Sequence, residues 1–121
     1  MPYGHGNGDG IGRDSSVNHL IAPLRKFLET DGVTEVCVNR PGEAFIEKDN
    51  VWERHDVPEL TLAQLQSIGV AVASFTNNEF SATVPILSAV LPPPGRERMQ
   101  VVMPPACEEE TISITLRKPG L

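Results

Sequence analysis

Cysteine, aromatic side chains and positive charge are all in short supply in this sequence. Its two cysteines, Cys37 and Cys107, stand in no CxxC or CxxH spacing, which excludes the usual zinc sites. So little cysteine suits a reduced, cytosolic compartment, and Cys37, between Val36 and Val38, reads as a small buried hydrophobe. Aromatics make up 5% of the residues, too few for a roomy aromatic-lined ligand pocket. Lys and Arg number 10 against 16 Asp and Glu, a net charge of −6. A nucleic-acid duplex is therefore not expected as a direct partner, because such binding rests on neutralising many phosphates. No apolar run approaches the ~20 residues that span a bilayer, and the opening MPYGHGNGDG has neither the basic nor the apolar region of a secretory signal. GxxxxGK[ST], GxSxG and HExxH are all missing, so these residues by themselves are expected to hold no catalytic centre, no metal and no cofactor.

What is present begins with glycine. Residues 1–14 place one at every second position from Gly4 to Gly12, out of phase with the GxGxxG phosphate fingerprint and with no strand before it. Such a segment reads as a flexible leader, since ordering it costs entropy and buries nothing. A helical pattern starts at Ser16, with Val17, Leu20, Ile21, Leu24 and Leu28 on one stripe. Ser15 or Ser16 can cap it. Pro23 predicts a kink, or a helix running only from Pro23 onward, and Gly32 suits a left-handed C-terminal cap. Three strand-like segments follow: Val33–Asn39, Ala44–Lys48 and Val51–His55. Arg40-Pro41-Gly42-Glu43 offers a type II turn between the first two, and Asp49-Asn50 a tight hairpin between the others. Pro58 closes this meander.

The second helix is predicted over residues 61–76. Thr61 and Gln64 form a T-x-x-Q capping box, with Leu60 and Leu65 as a hydrophobic staple. Leu62, Leu65, Ile68, Val72 and Phe75 make its buried stripe. Strands are then predicted at Val84–Leu91, Arg98–Met103 and Thr111–Arg117, separated by Pro92-Pro93-Pro94-Gly95 and by a Pro104-Pro105 loop whose Glu108–Glu110 run is solvated. The sum is one α+β domain over residues 15–121: roughly six antiparallel strands flanked by two to three helices, PAS-like in outline.

Chemistry is thin along the chain. His5, His19 and His55 have no ligand spacing and read as surface or packing residues. Two arginines differ. Strand alternation puts Met99, Val101 and Met103 on one face and Arg98 with Gln100 on the other, and puts Arg117 on the polar face with Thr115 and Ser113. If the two strands are neighbours, both guanidiniums emerge on one side of the sheet, as paired forked donors suited to phosphate.

The same segments carry a resemblance. Val33-Thr34-Glu35-Val36-Cys37-Val38-Asn39-Arg40-Pro41-Gly42-Glu43, Pro85-Ile86-Leu87-Ser88-Ala89, Arg98-Met99-Gln100-Val101-Val102-Met103-Pro104-Pro105 and Ile112-Ser113-Ile114-Thr115-Leu116-Arg117-Lys118-Pro119 occur in that order. Over residues 17–120 the chain resembles the N-terminal domain of the traffic ATPase of type IV secretion systems, within the secretion ATPase superfamily. The resemblance implies a C-terminal RecA-like motor outside this sequence, which holds the phosphate loop and binds ATP with Mg. It also implies a homohexamer on the cytoplasmic face of the bacterial inner membrane, meeting other inner-membrane secretion components and driving pilus assembly and transfer of DNA or protein. Arginines at the positions of Arg98 and Arg117 then lie near a nucleotide sandwiched between the two domains. The loop Pro92-Pro93-Pro94-Gly95-Arg96-Glu97-Arg98 is longer than the family's LPxGxR, which makes Arg96 a competitor for Arg98. The same domain from a type II secretion or pilus ATPase is the near rival. A stand-alone PAS-like sensor or interaction module is the distant one.

Overall fold

The structure, a computed structural model, describes residues 14–120. The glycine-rich leader, apart from Asp14, and His5 within it lie outside the described residues. The described residues open in a helix, α1, covering 14–20, followed by a turn at Ile21 and a second helix, α2 (Ala22–Leu28). The break falls where Pro23 demands it: proline sits in the first turn of α2, the one part of a helix that needs no amide from it. Val17, Ile21, Leu24 and Leu28 still share one buried face across the break. Gly32 does adopt φ +87, but in the turn into the first strand, while the cap of α2 is Glu29 in the right-handed region.

The strands are β1 (Val33–Val38), β2 (Glu43–Lys48), β3 (Val51–Asp56), β4 (Ile86–Val90), β5 (Arg98–Val102) and β6 (Ser113–Arg117). They form one six-stranded sheet in the order β3-β2-β1-β6-β5-β4, every pair antiparallel. The turns follow their residues. Gly42 takes φ +88, the conformation a type II turn needs after Pro41, and Asp49 and Asn50 take φ 52 and 68, the left-handed pair of a type I′ hairpin.

Helix α3 (Leu62–Thr76) follows Thr61, whose hydroxyl accepts from the Gln64 amide at 3.1 Å. The reciprocal half of the capping box does not form. The Gln64 side chain instead donates to the Leu20 carbonyl at 2.7 Å, tying α3 to the end of α1. Leu60 and Leu65 are both fully buried, as a staple requires.

Alternation along the strands divides the sheet into two unlike faces. Val36, Val38, Ala44, Ile46, Leu87, Met99, Val101, Ile114 and Leu116 join the helices' apolar residues in one core. The opposite face carries no helix among the described residues. Cys37 belongs to that second face, which corrects its reading as a buried hydrophobe. In Val36-Cys37-Val38 a period of two can bury the valines only by turning the thiol away from them, and Cys37 ends up half-buried.

Candidate anion-binding face

Cross-strand register organises the open face into rows. One row runs Val90, Arg98, Arg117, Glu35, and the next Ser88, Gln100, Thr115, Cys37. Arg98 and Arg117 are direct partners on β5 and β6, which puts their α-carbons ~4.5–5.5 Å apart. Like charges placed so are unfavourable in a bare sheet.

The two guanidiniums are held differently. Arg117 donates from Nη2 to Glu35 Oε1 at 3.0 Å, with the arginine 63% exposed and the carboxylate 15%. So exposed a pair contributes little stability, but it fixes the direction of a side chain that has four further N–H donors in hand. Arg98 has no ion-pair partner among the described residues. Both arginines line a depression of about 640 Å³, together with Ser88, Ala89, Val90, Met99, Gln100 and Thr115. No carboxylate is in that lining, so the depression suits an anion and gives a magnesium ion no charged ligand.

Arg96 is not brought to this place. It is an exposed residue of the proline-rich loop with φ +53, its amide donating to the Pro92 carbonyl at 3.3 Å, and it does not line the depression. A left-handed turn at Arg96 breaks the alternation that would have carried it to the Arg98 face. The histidines stay out as well. His19 is exposed, and His55 lies against the Phe27 ring at 4.9 Å and 3.2 Å from Glu53 Oε1.

Two features of the site are absent from the sequence reading. Glu35 as the partner of Arg117 depends on the β1–β6 pairing, which no local pattern encodes. Glu97 was within reach: alternation from Arg98 places a carboxylate on the apolar face beside Met99, where it must find a cation. It finds Arg25 of α2, with Nη1 at 2.5 Å from Oε2, and is 4% exposed. The thiol of Cys37 donates to Glu35 Oε2 at 3.3 Å. Burial first, then that hydrogen bond and the carboxylate's charge, push its pKa up to about 11.

No protein-family profile matches the chain. It is similar to the type IV secretion system protein VirB11 of Brucella suis, 50% identical over 110 residues, which span 91% of this chain and 30% of that protein. PtlH of Bordetella pertussis is 41% identical over 89% of this chain and 31% of its own length. The crystal structure of the Brucella suis VirB11 ATPase in complex with sulphate superposes with a TM-score of 0.87 at 48% identity, covering 93% of this chain and 33% of that one. The chain thus spans about a third of the length of the relatives it matches. Among the described residues no helix is long and apolar enough to cross a membrane.

Proposed function

Since the chain belongs with the type IV secretion ATPases and corresponds to their N-terminal region, we propose that its open sheet face grips the phosphates of a nucleotide held by a motor domain. The observation that carries this reading is the direct opposition of Arg98 and Arg117 on a face that no helix of the described residues covers. An anion between them converts a repulsive pair into two charge-assisted contacts, the stronger kind of hydrogen bond. The sulphate in the Brucella suis relative's structure is an oxyanion of the same geometry as a phosphoryl group.

In this arrangement the domain supplies charge and position, not a cradle. ATP and its magnesium are bound by the motor. ATP bound there would supply the phosphoryl group, and the residues of this chain that could meet its charge are Arg98 and Arg117, with Gln100 and Thr115 as neutral donors in the same lining. The motor belongs to the same chain or to a neighbouring subunit of a homohexamer, at the cytoplasmic face of the inner membrane beside the other secretion components. Coupling between nucleotide and sheet face would then transmit the state of the motor to the ring.

Titrating this 121-residue chain with pyrophosphate, and following the arginine Nε–Hε signals by NMR, tests the reading. Arg98 and Arg117 should shift together at millimolar ligand, with Arg96 unmoved. Silence at both up to tens of millimolar would remove the anion site.

A further inference from the structure

The residue before Arg98 points the other way, into the protein, and that is where its position is decided. Glu97 is 4% exposed and bonds Arg25 of α2 across 72 residues of sequence. Its backbone carbonyl accepts from the Leu91 amide at 2.9 Å, closing the loop between β4 and β5. Asn18 of α1 reaches the Pro93 carbonyl of the same loop at 3.4 Å. Gly95 lies flat over the ion pair. A β-carbon there would overlap both Glu97 carboxylate oxygens and come within 2.6 Å of Arg25 Nη1. The pair is thus a lidded tie between the helical layer and the first residues of β5, with Glu97 Oε1 and Arg25 Nη2 buried and without a hydrogen-bond partner among the described residues.

We propose that Arg25 and Glu97 are positioning residues for the anion site: they pin the start of β5 so that Arg98 stays opposite Arg117 when no anion is bound. This rests on the reading of the open face as a phosphate grip. Arg117 has Glu35 to hold it, but Arg98 has no ion partner among the described residues and is repelled by its neighbour. A strand end without the tie can twist or fray, and Arg98 then leaves the row. A buried carboxylate on the core side of a strand cannot rotate outward without breaking its pair and leaving a buried charge alone. Glu97 therefore locks the alternation that sends Arg98 to the other face.

The experiment compares three variants of this chain with the wild type. Melting temperature, pyrophosphate affinity and the cross-strand backbone contact between Arg98 and Arg117 (a nuclear Overhauser effect) are measured on each. Glu97→Gln should melt lower and bind pyrophosphate at least five-fold more weakly. Arg25→Met/Glu97→Leu removes both charges, an exchange that is often neutral for stability, and should recover the melting temperature without recovering affinity. Arg25→Lys keeps the charge but not the fork, and should fold and bind with intermediate affinity. A purely structural pair would leave affinity intact in every variant that folds. Wild-type affinity in the double variant, or in Arg25→Lys should the double variant not fold, overturns the proposal. If the wild type itself shows no pyrophosphate response, the grip is lost as a function. The tie then stands if the Arg98–Arg117 contact weakens in the variants and falls if it does not.

Discussion

Arg98 and Arg117 face each other as direct partners on neighbouring antiparallel strands, and among the described residues only Arg117 is held by a carboxylate. The asymmetry has a chemical meaning. Glu35 neutralises and aims Arg117 from the β1 side, so under the proposed reading an incoming phosphate would meet one oriented guanidinium and one unneutralised one. Two paired arginines would leave the depression with no net positive charge to attract an anion. Two unpaired ones would repel and scatter. One of each keeps net positive charge in the depression with half of the site already oriented, which lowers the ordering cost of binding.

The chain alone should not hydrolyse ATP above background, nor bind it tightly. The depression on the open face has two arginines but no glycine-rich cradle, and its lining holds no carboxylate for a magnesium ion. A phosphate-release assay on a preparation freed of contaminating ATPase checks this. Turnover that persists through repeated purification would contradict it.

Thr61→Ala should destabilise the domain by about 1 kcal/mol, the usual worth of an N-cap side chain, seen as a melting temperature lower by a few degrees. The hydroxyl satisfies the Gln64 amide at 3.1 Å. Gln64→Ala should also destabilise, by a different route: its side chain ties α3 to the Leu20 carbonyl and does not return to the cap. The two losses should therefore add in the double variant, whereas a reciprocal capping box would make them overlap.

Much of the fold was legible because its signals are local. Thr61, Pro23, Gly42 and the Asp49-Asn50 pair each impose one backbone geometry, and each is found in it. Strand alternation placed Arg98 and Arg117 on the polar face, and their opposition needed only that β5 and β6 be neighbours. The valines on both sides of Cys37 suggest burial, but the period of two along β1 decides its face and turns the thiol away from the core. The pairing of Arg117 with Glu35 and of Glu97 with Arg25 was hidden for another reason: each joins residues far apart in sequence, through a sheet order or a helix placement that no local pattern encodes. Arg96 shows the converse limit. Its spacing matches Arg98, but a left-handed turn intervenes.

Cys37 should be a slow nucleophile, and the fold should weaken in alkali because of it. Its pKa is raised to about 11 from 9.0, by burial first and then by Glu35. Between those two values the unfolded chain gives up the thiol proton while the folded chain keeps it. The folded state then binds more protons, so stability falls as pH rises through that window. In a Cys107→Ser background, iodoacetamide should label Cys37 far more slowly at pH 8 than it labels the unfolded chain. Cys37→Ala should flatten part of the stability loss between pH 9 and 11. Equal labelling rates, folded and unfolded, would mean the thiol is free of both influences.

If the proposed function holds, Arg117→Ala in a protein that joins this domain to the proposed motor should lower ATP turnover at least ten-fold while leaving the fold intact. The side chain is 63% exposed and its ion pair with Glu35 is a surface one, so its removal costs the domain little. Its loss at the nucleotide is another matter, since one charge-assisted contact to a phosphoryl group in a closed site contributes a few kcal/mol, about two powers of ten in rate. Arg98→Ala should behave alike. Arg98→Lys should recover only part of the activity, because a point charge replaces a fork. Arg96→Ala is the control: exposed, in the loop and outside the depression, it should leave turnover within two-fold of wild type. Steady-state kinetics with circular dichroism on the four variants separate the cases. Wild-type rates in both Arg98→Ala and Arg117→Ala would leave the pair as solvated surface, and a large loss in Arg96→Ala would move the contact into the loop.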